Sequence, residues 1–312
     1  MKNHSISETW QSEGYILIHD AIEEPYLNAV RSIISERVDE LAQQAYADGK
    51  LSSLHKDESF GRRYAAMCEE MGQPSGGKMF TPGEMCAKPL YELYSHKAIQ
   101  EVLGTIIGPE VTLHGISLFR TKLPDKSETH FPWHQDSQYY NTDRDAIING
   151  QKVATEEMKV VTTWVPLVDT TLDNGCLWVI PGSHHWGFLE SSRNNGPVRL
   201  SDEKELEKRG TPTPLPMKCG DVVFFTNLTI HGSKENLTQE VRWSHDFRLH
   251  ASADASMPEP ERIATSYFND KSRRYGVEPL TVLSKQSIPS WEEWQQATAE
   301  CQTNIRKEAS QK

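Results

Sequence analysis

The sequence has 312 residues, 37% of them hydrophobic and 9% aromatic, so the chain is long enough to bury a substantial core. Its formal net charge of −11 argues against nucleic acid or an anionic membrane as a partner, because both attract a cationic surface. The N-terminal residues lack a basic segment followed by an apolar one, and no apolar run approaches the roughly 20 residues of a membrane span. These features exclude a secreted, membrane-spanning or DNA-binding class and indicate a soluble protein.

The cysteines also bear on the compartment. They are odd in number, scattered and never spaced as CxxC, so they predict neither a disulfide framework nor a zinc ribbon. A reducing environment suits them, and we expect a cytoplasmic protein. The five positions are Cys68, Cys86, Cys176, Cys219 and Cys301.

Helical patterns dominate the first 110 residues. A short strand is predicted over 14–19, and apolar residues then recur every three to four positions over 22–48, which indicates an amphipathic helix. Pro25 near its start and Gly49 after its end fit the preferences of helix termini. Residues 50–95 are weakly patterned, and a further helix is predicted over 97–107.

From 111 to 251 the pattern changes to short runs rich in β-branched and aromatic residues, separated by turn residues. At least five such strands predict a sandwich or jelly roll. Two long irregular connections interrupt them, roughly 137–158 and 184–213, and Ser290 with Glu293 forms a capping-box pattern that opens a last helix. No repeat or linker divides the chain, so we expect a single domain over 1–312: an N-terminal strand and helices (1–110), the β core (111–251) and a C-terminal extension (252–312).

Two distant segments suggest a metal site. His134 and Asp136 are two residues apart in a predicted strand, and side chains at that spacing point to the same face. His231 ends a second apolar strand, which antiparallel pairing could bring alongside. Two imidazoles and one carboxylate are the ligands of non-heme ferrous oxygenases, which leave iron positions open. A second His-x-Asp, His55 to Asp57, lies in a polar stretch and is interpreted as a surface loop.

Arg242 strengthens this interpretation. It follows His231 by eleven residues, which in a hairpin would place it on the neighbouring strand near the same end of the sheet. A buried guanidinium there would present a planar fork suited to a carboxylate. Tyr139 and Tyr140, in the loop that leaves the first two ligands, are candidates for substrate contact, and that loop could form a lid or a solvated insertion.

These residues resemble a known family. The runs WHQDSQYY, TTWVPLVDTTLDNGCLWVIPGSHHWG and KCGDVVFFTNLTIHGSKENLTQEVRW, in this order, are similar to the phytanoyl-CoA dioxygenase family of Fe(II)/2-oxoglutarate oxygenases, and EGYILIHDAIEEPYLNAVR resembles its entry strand and first helix. The resemblance implies a mainly β fold with helical flanks: a double-stranded β-helix (a cupin-like jelly roll) with N-terminal helices packed on it.

The resemblance also implies the cofactors. Iron would be held by His134, Asp136 and His231, and 2-oxoglutarate and O2 would be co-substrates. Arg242 would pair with the 5-carboxylate of 2-oxoglutarate, assisted by Ser233, while Gln135 and Trp164 would border the co-substrate. Halogenating relatives have a small residue in place of the carboxylate ligand, so the carboxylate of Asp136 disfavours halogenation.

Hydroxylation of a small molecule, with release of succinate and CO2, is therefore the expected activity. Desaturation, epoxidation and oxidative cyclisation begin from the same hydrogen abstraction and stay open, as do the substrate and the oligomeric state. Two alternatives of other classes are a non-redox, cupin-like metalloenzyme, which would have no use for Arg242, and a β-sandwich binding module whose histidines are incidental.

Overall fold

The computed structural model describes residues 5–72, 79–124, 130–141, 147–148, 151–152, 159–192, 199–201, 203–253, 256–257 and 259–310. The helices in these ranges are α1 (Ile6–Glu13), α2 (Glu24–Ala47), α3 (Arg63–Glu70), α4 (Lys88–Tyr94), α5 (Lys97–Ile106), α6 (Ser137–Asn141), α7 (Glu203–Arg209), α8 (Glu259–Arg274) and α9 (Trp291–Ser310). The strands are β1 (Tyr15–Ile18), β2 (Val111–Lys122), β3 (Phe131–His134), β4 (Ile147–Ile148), β5 (Gln151–Lys152), β6 (Val160–Pro166), β7 (Leu177–Val179), β8 (Ser191–Ser192), β9 (Arg199–Leu200), β10 (Thr213–Leu215), β11 (Val222–Thr226), β12 (His231–Ser233), β13 (Arg242–Ala251) and β14 (Leu280–Leu283).

Two antiparallel sheets form the centre of the fold. The larger has six strands in the order β1-β11-β6-β13-β2-β14, and the smaller has four in the order β10-β7-β12-β3. Their inner faces pack together, because Trp164, Val223 and Phe225 of the larger sheet share one buried cluster with Leu177 and Val179 of the smaller. Two facing antiparallel sheets of this kind form the predicted jelly roll.

The outer face of the six-stranded sheet carries the helices. Successive side chains of a strand point to opposite faces, so Trp243, Phe247 and Leu249 of β13 point away from the other sheet. They join one large core cluster with Leu27 and Ile34 of α2, and that cluster also takes in residues of α4, α5, β14 and α9. Burial of this apolar surface holds the helices on the sheet. The cluster draws on all three zones of the chain, and the single-domain organisation stays a prediction.

Several sequence predictions of elements are confirmed. The helix over 22–48 is α2, that over 97–107 is α5, and the strand over 14–19 is β1. Ser290 and Glu293 form the expected capping box, in which the Ser290 hydroxyl accepts from the Glu293 backbone and the Glu293 carboxylate accepts from the Ser290 backbone. The sequence analysis missed α1, α3, α4, α8 and β14.

The two long connections are only partly irregular. The first contains α6 and a small β4–β5 hairpin, and the second contains a β8–β9 hairpin and α7. Residues 142–146, 149–150, 153–158 and 193–198 lie outside the described residues, so the proposed lid over 137–158 stays a prediction. In the ranges that are described, no helix combines the length and apolar character needed to cross a membrane.

Candidate metal and co-substrate site

His134, Asp136 and His231 converge on one point between the two sheets. His134 ends β3 and pairs directly with His231 of β12, as antiparallel alignment requires. Asp136 differs from the expectation, because it lies in the turn between β3 and α6 and not on a strand. The turn still directs its carboxylate at the two rings. All three residues are buried, and one potential ligand atom from each lies within 4.8 Å of the others.

The distances define a compact set of donors. The carboxylate oxygen Oδ1 of Asp136 is 3.9 Å from Nε2 of His134 and 3.7 Å from Nε2 of His231. The centroids of the two imidazole rings are 4.2 Å apart. Two Nε2 atoms and one carboxylate oxygen that share a face form a three-ligand set able to hold one divalent ion and leave its remaining positions open.

The second nitrogen of each imidazole is held by the backbone. Nδ1 of His134 donates to the carbonyl of Pro132 at 2.9 Å, and Nδ1 of His231 donates to the carbonyl of Thr229 at 3.0 Å. A carbonyl can only accept, so both Nδ1 atoms carry the proton and both Nε2 atoms keep a lone pair for a metal. Burial also lowers the pKa of His134, to about 3, and that of His231, which keeps the rings neutral.

The other carboxylate oxygen of Asp136 is occupied by protein groups. The hydroxyl of Thr162 on β6 donates to Oδ2 at 2.5 Å, and Nη2 of Arg248 on β13 lies 3.4 Å from the same atom. Burial alone would raise the pKa of Asp136, but Arg248, the two imidazoles and the Thr162 hydroxyl outweigh it and hold this pKa well below its usual range. The carboxylate is therefore ionised, with Oδ1 directed at the rings.

Arg248 belongs to a network that the sequence analysis did not identify. Its guanidinium also bonds Asp246, and Asp246 in turn bonds Arg120 on the neighbouring strand β2. Burial would raise the pKa of Asp246, but the two arginines lower it. A signal for the network was present in the sequence, because Arg242, Asp246 and Arg248 occupy alternate positions of β13 that share one face.

Arg242 begins β13 and is buried. The hairpin expectation was wrong: β12 and β13 belong to different sheets, so Arg242 does not lie on the strand next to that of His231. Its Nη1 donates to Ser244 at 3.1 Å and its guanidinium lies over the ring of Trp164, 5.2 Å from the centroid. Nε has no partner among the residues described, and burial followed by the charge of Arg120 lowers the pKa to about 10.

A buried guanidinium with an unused donor fits a carboxylate ligand, because an ionised group in this position is unfavourable without a counter-charge. Lys122 lies directly opposite Arg242 on β2, and its ammonium donates to the carbonyl of Lys234 at 2.6 Å. Trp164 lines the same interior as Arg242. Ser233 is buried two residues after His231, opposite Phe131 and Leu177. The co-substrate roles of these side chains stay predictions.

Gln135 and the two tyrosines occupy different surroundings. The amide of Gln135 donates to the carbonyls of Gly187 and Leu228 and accepts from the backbone of Leu189, so it ties three backbone groups together. Tyr139 packs edge-on against His134, with ring centroids 5.7 Å apart. The backbone of Tyr140 lies in α6, and its side chain falls outside the described atoms. Contact of either tyrosine with substrate stays a prediction.

Comparison with known proteins places this geometry in a family. The family model "Phytanoyl-CoA dioxygenase (PhyH)" matches residues 10–244, which include every residue named in this site except Asp246 and Arg248. The chain belongs to the phytanoyl-CoA dioxygenase family. A phytanoyl-CoA dioxygenase of Arabidopsis thaliana is 24% identical over 263 residues, which cover 77% of this chain and 85% of that protein.

Solved structures agree on the fold. The 2-oxoglutarate-dependent carbocyclase SnoK from nogalamycin biosynthesis superposes with a TM-score of 0.52 at 18% identity, covering 81% of this chain and 86% of that one. EctD from S. alaskensis, solved with 2-oxoglutarate and 5-hydroxyectoine, superposes with a TM-score of 0.50 at 19% identity, covering 80% and 78%. At such identities the likeness establishes the jelly-roll fold.

Family membership and the triad together define the class of enzyme. This phytanoyl-CoA dioxygenase family member is an Fe(II)- and 2-oxoglutarate-dependent oxygenase, with His134, Asp136 and His231 as the residues that could hold the iron. The two alternatives from the sequence, a non-redox metalloenzyme and a binding module, are thereby set aside. The unused Nε of the buried Arg242 fits the same conclusion, because a non-redox metal site gives it no carboxylate partner.

Proposed function

We propose that the protein hydroxylates an unactivated C–H bond of a small-molecule substrate. Ferrous iron, when bound, would allow O2 to convert 2-oxoglutarate to succinate and CO2, with one oxygen atom of O2 entering succinate and the other entering the hydroxyl group of the product. The observation that carries the proposal is the ionised carboxylate of Asp136, whose Oδ1 faces both imidazoles while Oδ2 is held by Thr162 and Arg248. A carboxylate fixed in this way would occupy the metal position that a halide needs in a halogenating enzyme. Its presence therefore favours oxygen insertion over halogenation.

The protein side chains have separate tasks in this proposal. His134, Asp136 and His231 bind the iron, and the backbone carbonyls behind the imidazoles fix their tautomers. Arg242 binds the distal carboxylate of 2-oxoglutarate and thereby orients it in the interior, with Ser233 and the Trp164 ring beside it. No proton transfer by a side chain is required, so we assign no catalytic acid or base.

Burial supports a small and mostly uncharged substrate. His134 and His231 are each 5% exposed and Asp136 is 2% exposed, so the reacting bond must enter the space between the sheets. Water is largely excluded from that space, which protects a reactive site from side reactions. The net charge of −11 opposes a polyanionic substrate such as a CoA thioester. We infer a cytoplasmic location from the cysteine pattern alone.

The test of this site does not need the substrate. Metal-free protein is titrated anaerobically with Fe(II) and 2-oxoglutarate, and the metal-to-ligand charge-transfer absorption is followed in the wild type and in His231→Ala. His185→Ala is the control, because His185 is exposed on another turn, where its ring bonds the carbonyl of Gln11 and packs against His184. We expect the absorption in the wild type and the control and its loss in His231→Ala.

Failure of the wild type to develop the absorption while remaining folded would contradict the proposal. The mass of the product, formed from a substrate found by screening for succinate release, then separates oxygen insertion from desaturation or cyclisation. Hydroxylation and epoxidation each add one oxygen, desaturation removes two hydrogens, and cyclisation removes two hydrogens with formation of a ring. A product that gains no oxygen would replace hydroxylation with desaturation or cyclisation and leave the cofactor assignment unchanged.

A further inference from the structure

The inner face of the six-stranded sheet carries polar residues beyond those that touch the metal ligands. Phe225, Thr162, Arg248 and His114 lie directly opposite one another across β11, β6, β13 and β2. The first three of these contact the triad: the Phe225 ring is 4.4 Å from the ring of His231, and Thr162 and Arg248 bond Asp136. His114 therefore lies one strand away from a residue that holds the carboxylate ligand.

His250 lies on the same face of the sheet, further along β13 than Arg248. It follows Arg248 by two residues, so its side chain points to the same face, about 7 Å further along the strand. Arg242 lies at the opposite end of the same strand and the same face. If the co-substrate occupies the space near Arg242, the space near His250 lies on the other side of the metal ligands, where a substrate can approach.

The imidazole of His250 presents an unused acceptor. Its Nδ1 donates to the carbonyl of Ala251 at 2.9 Å, so in the neutral ring Nε2 carries the lone pair. Burial lowers the pKa of His250 to about 4, which keeps the ring neutral at physiological pH. The residue is 2% exposed, and Nε2 has no hydrogen-bond partner in the described part of the chain. A buried acceptor in this state is unfavourable unless a ligand satisfies it.

The imidazoles of His250 and His114 share one aromatic neighbour from α8. Phe268 of α8 covers both imidazoles, with ring centroids 5.6 Å from His250 and 5.0 Å from His114. Helix α8 packs against β2 and also against β4, which belongs to the connection that leaves the metal ligands. Burial is the largest cause of the lowered pKa of His114, followed by His250 and by the cations Lys271 and Arg248.

This chemistry selects the kind of group that would bind. A bare imidazole nitrogen requires a hydrogen-bond donor, which excludes a carboxylate or a phosphate. Lys271 and Arg248, which act on the neighbouring His114, oppose an ammonium group. A neutral hydroxyl satisfies both conditions, and the face of Phe268 provides apolar contact for the carbon atoms beside it.

We propose that Nε2 of His250 accepts a hydrogen bond from a hydroxyl group of the substrate, which is an alcohol with an apolar body that packs against Phe268. The proposal rests on the proposed function, since it places this hydroxyl on the substrate side of the metal ligands. It deepens that function by naming a substrate class.

The experiment uses the full chain loaded with Zn(II) and 2-oxoglutarate, because zinc is diamagnetic and forms no oxidant. The nitrogen resonances of the imidazoles are followed by NMR while four probes are added: cyclohexanol, benzyl alcohol and the methyl ether of each. The ethers keep the carbon body and lose the donor. Cyclohexylamine is the fifth probe, since it replaces the neutral hydroxyl with an ammonium group.

We expect the alcohols to shift the Nε2 resonance of His250 and the ethers to leave it unchanged. His250→Phe keeps an aromatic ring beside Phe268 and removes the acceptor. It should therefore lower the binding affinity for the alcohols about five- to tenfold and that for the ethers very little. His250→Gln restores an acceptor near the position of Nε2 and should recover most of the affinity. His245→Gln is the matched control on the outer face of the same strand, where His245 bonds Tyr94, and it should leave probe binding unchanged.

Three results would overturn the proposal: alcohols that leave Nε2 unshifted, ethers that bind as well as alcohols, or a clear preference for cyclohexylamine. The absorption of the Fe(II) and 2-oxoglutarate complex, measured in parallel, distinguishes failure of the proposed function from failure of the proposed role of His250. Its absence in the wild type contradicts the proposed function itself. If the absorption develops in the wild type and in His250→Phe, but alcohols and ethers bind equally well, only the role of His250 is contradicted.

Discussion

Replacement of Arg242 by methionine should stabilise the protein without co-substrate and weaken the binding of 2-oxoglutarate. Methionine approximates the aliphatic stem of arginine and removes the charge. Burial is the main reason that the pKa of Arg242 falls from 12.5 to about 10, and this difference corresponds to about 3 kcal/mol of unfavourable charge burial in the folded state. The variant removes that cost together with the unused Nε donor.

Two lost contacts offset part of the gain. The hydrogen bond from Arg242 to Ser244 contributes about 1 kcal/mol, and the contact with the Trp164 ring contributes about 0.5–1 kcal/mol. The expected net effect is a stabilisation of about 1–2 kcal/mol, or a rise of a few degrees in the melting temperature. Loss of a buried, charge-assisted pair with the 2-oxoglutarate carboxylate should cost about 2–5 kcal/mol of binding, which weakens affinity at least thirtyfold.

The assay is thermal unfolding of the metal-loaded protein with and without 2-oxoglutarate. Wild-type protein should gain about 3 kcal/mol of stability at a hundredfold excess of 2-oxoglutarate over its dissociation constant, and the variant, whose affinity is at least about thirtyfold weaker, should gain less than about 1 kcal/mol at the same concentration. Arg120→Met is the contrasting variant, because Arg120 pairs with Asp246 and its loss should destabilise the fold while 2-oxoglutarate still binds. An Arg242→Met protein that is less stable than wild type and binds 2-oxoglutarate normally would refute the reasoning.

Three further outcomes are expected. Arg248→Met should weaken Fe(II) affinity about 10- to 100-fold in a chelator competition, because it removes one of the two groups that hold Oδ2 of Asp136. Thr162→Val removes the other group and should have a smaller effect in the same direction. Unchanged affinity in both variants would mean that the triad orients itself. The pKa of His250 is about 4 in the folded protein and near 6.5 in the unfolded chain, so the unfolded chain binds the proton more readily. This residue should therefore leave stability unaffected above pH 6.5 and lower it by about 3 kcal/mol between pH 6.5 and 4. Denaturant titrations of His250→Phe should show a shallower decline, and a pH profile identical to that of the wild type would contradict the burial argument. Ser290→Ala should lower the unfolding free energy by about 1 kcal/mol through loss of the α9 cap, measured by urea titration, whereas no change would show that α9 is held by packing alone.

The ligand set was predictable because its chemistry is local. A His-x-Asp pair and a second histidine at a strand end are visible in the sequence, and antiparallel pairing explains how His134 and His231 meet. Asp136 shows the limit of that reasoning. Strand alternation would also have directed it to the same face, yet the chain turns after His134 and reaches the same point by a different backbone path.

Helices were predictable where one face is clearly apolar. The three-to-four-residue spacing of buried residues along α2 determines a helix whatever it packs on. The helix α8 has many polar residues, and its mean hydropathy is low. Its position is set by contact with β2 and by Phe268 over two histidines, which are distant in sequence.

The sequence by itself determined the composition of the site and its family, because the metal ligands and the arginine lie at characteristic spacings in recognisable motifs. Only the tertiary structure decided that Arg242 and His231 lie on different sheets, that Arg248 and Thr162 hold Asp136, and that His250 has an unused acceptor. Each of these depends on which strands face each other and on which polar atoms lose access to water. Strand order and burial arise from packing over long sequence separations, and no local pattern encodes them.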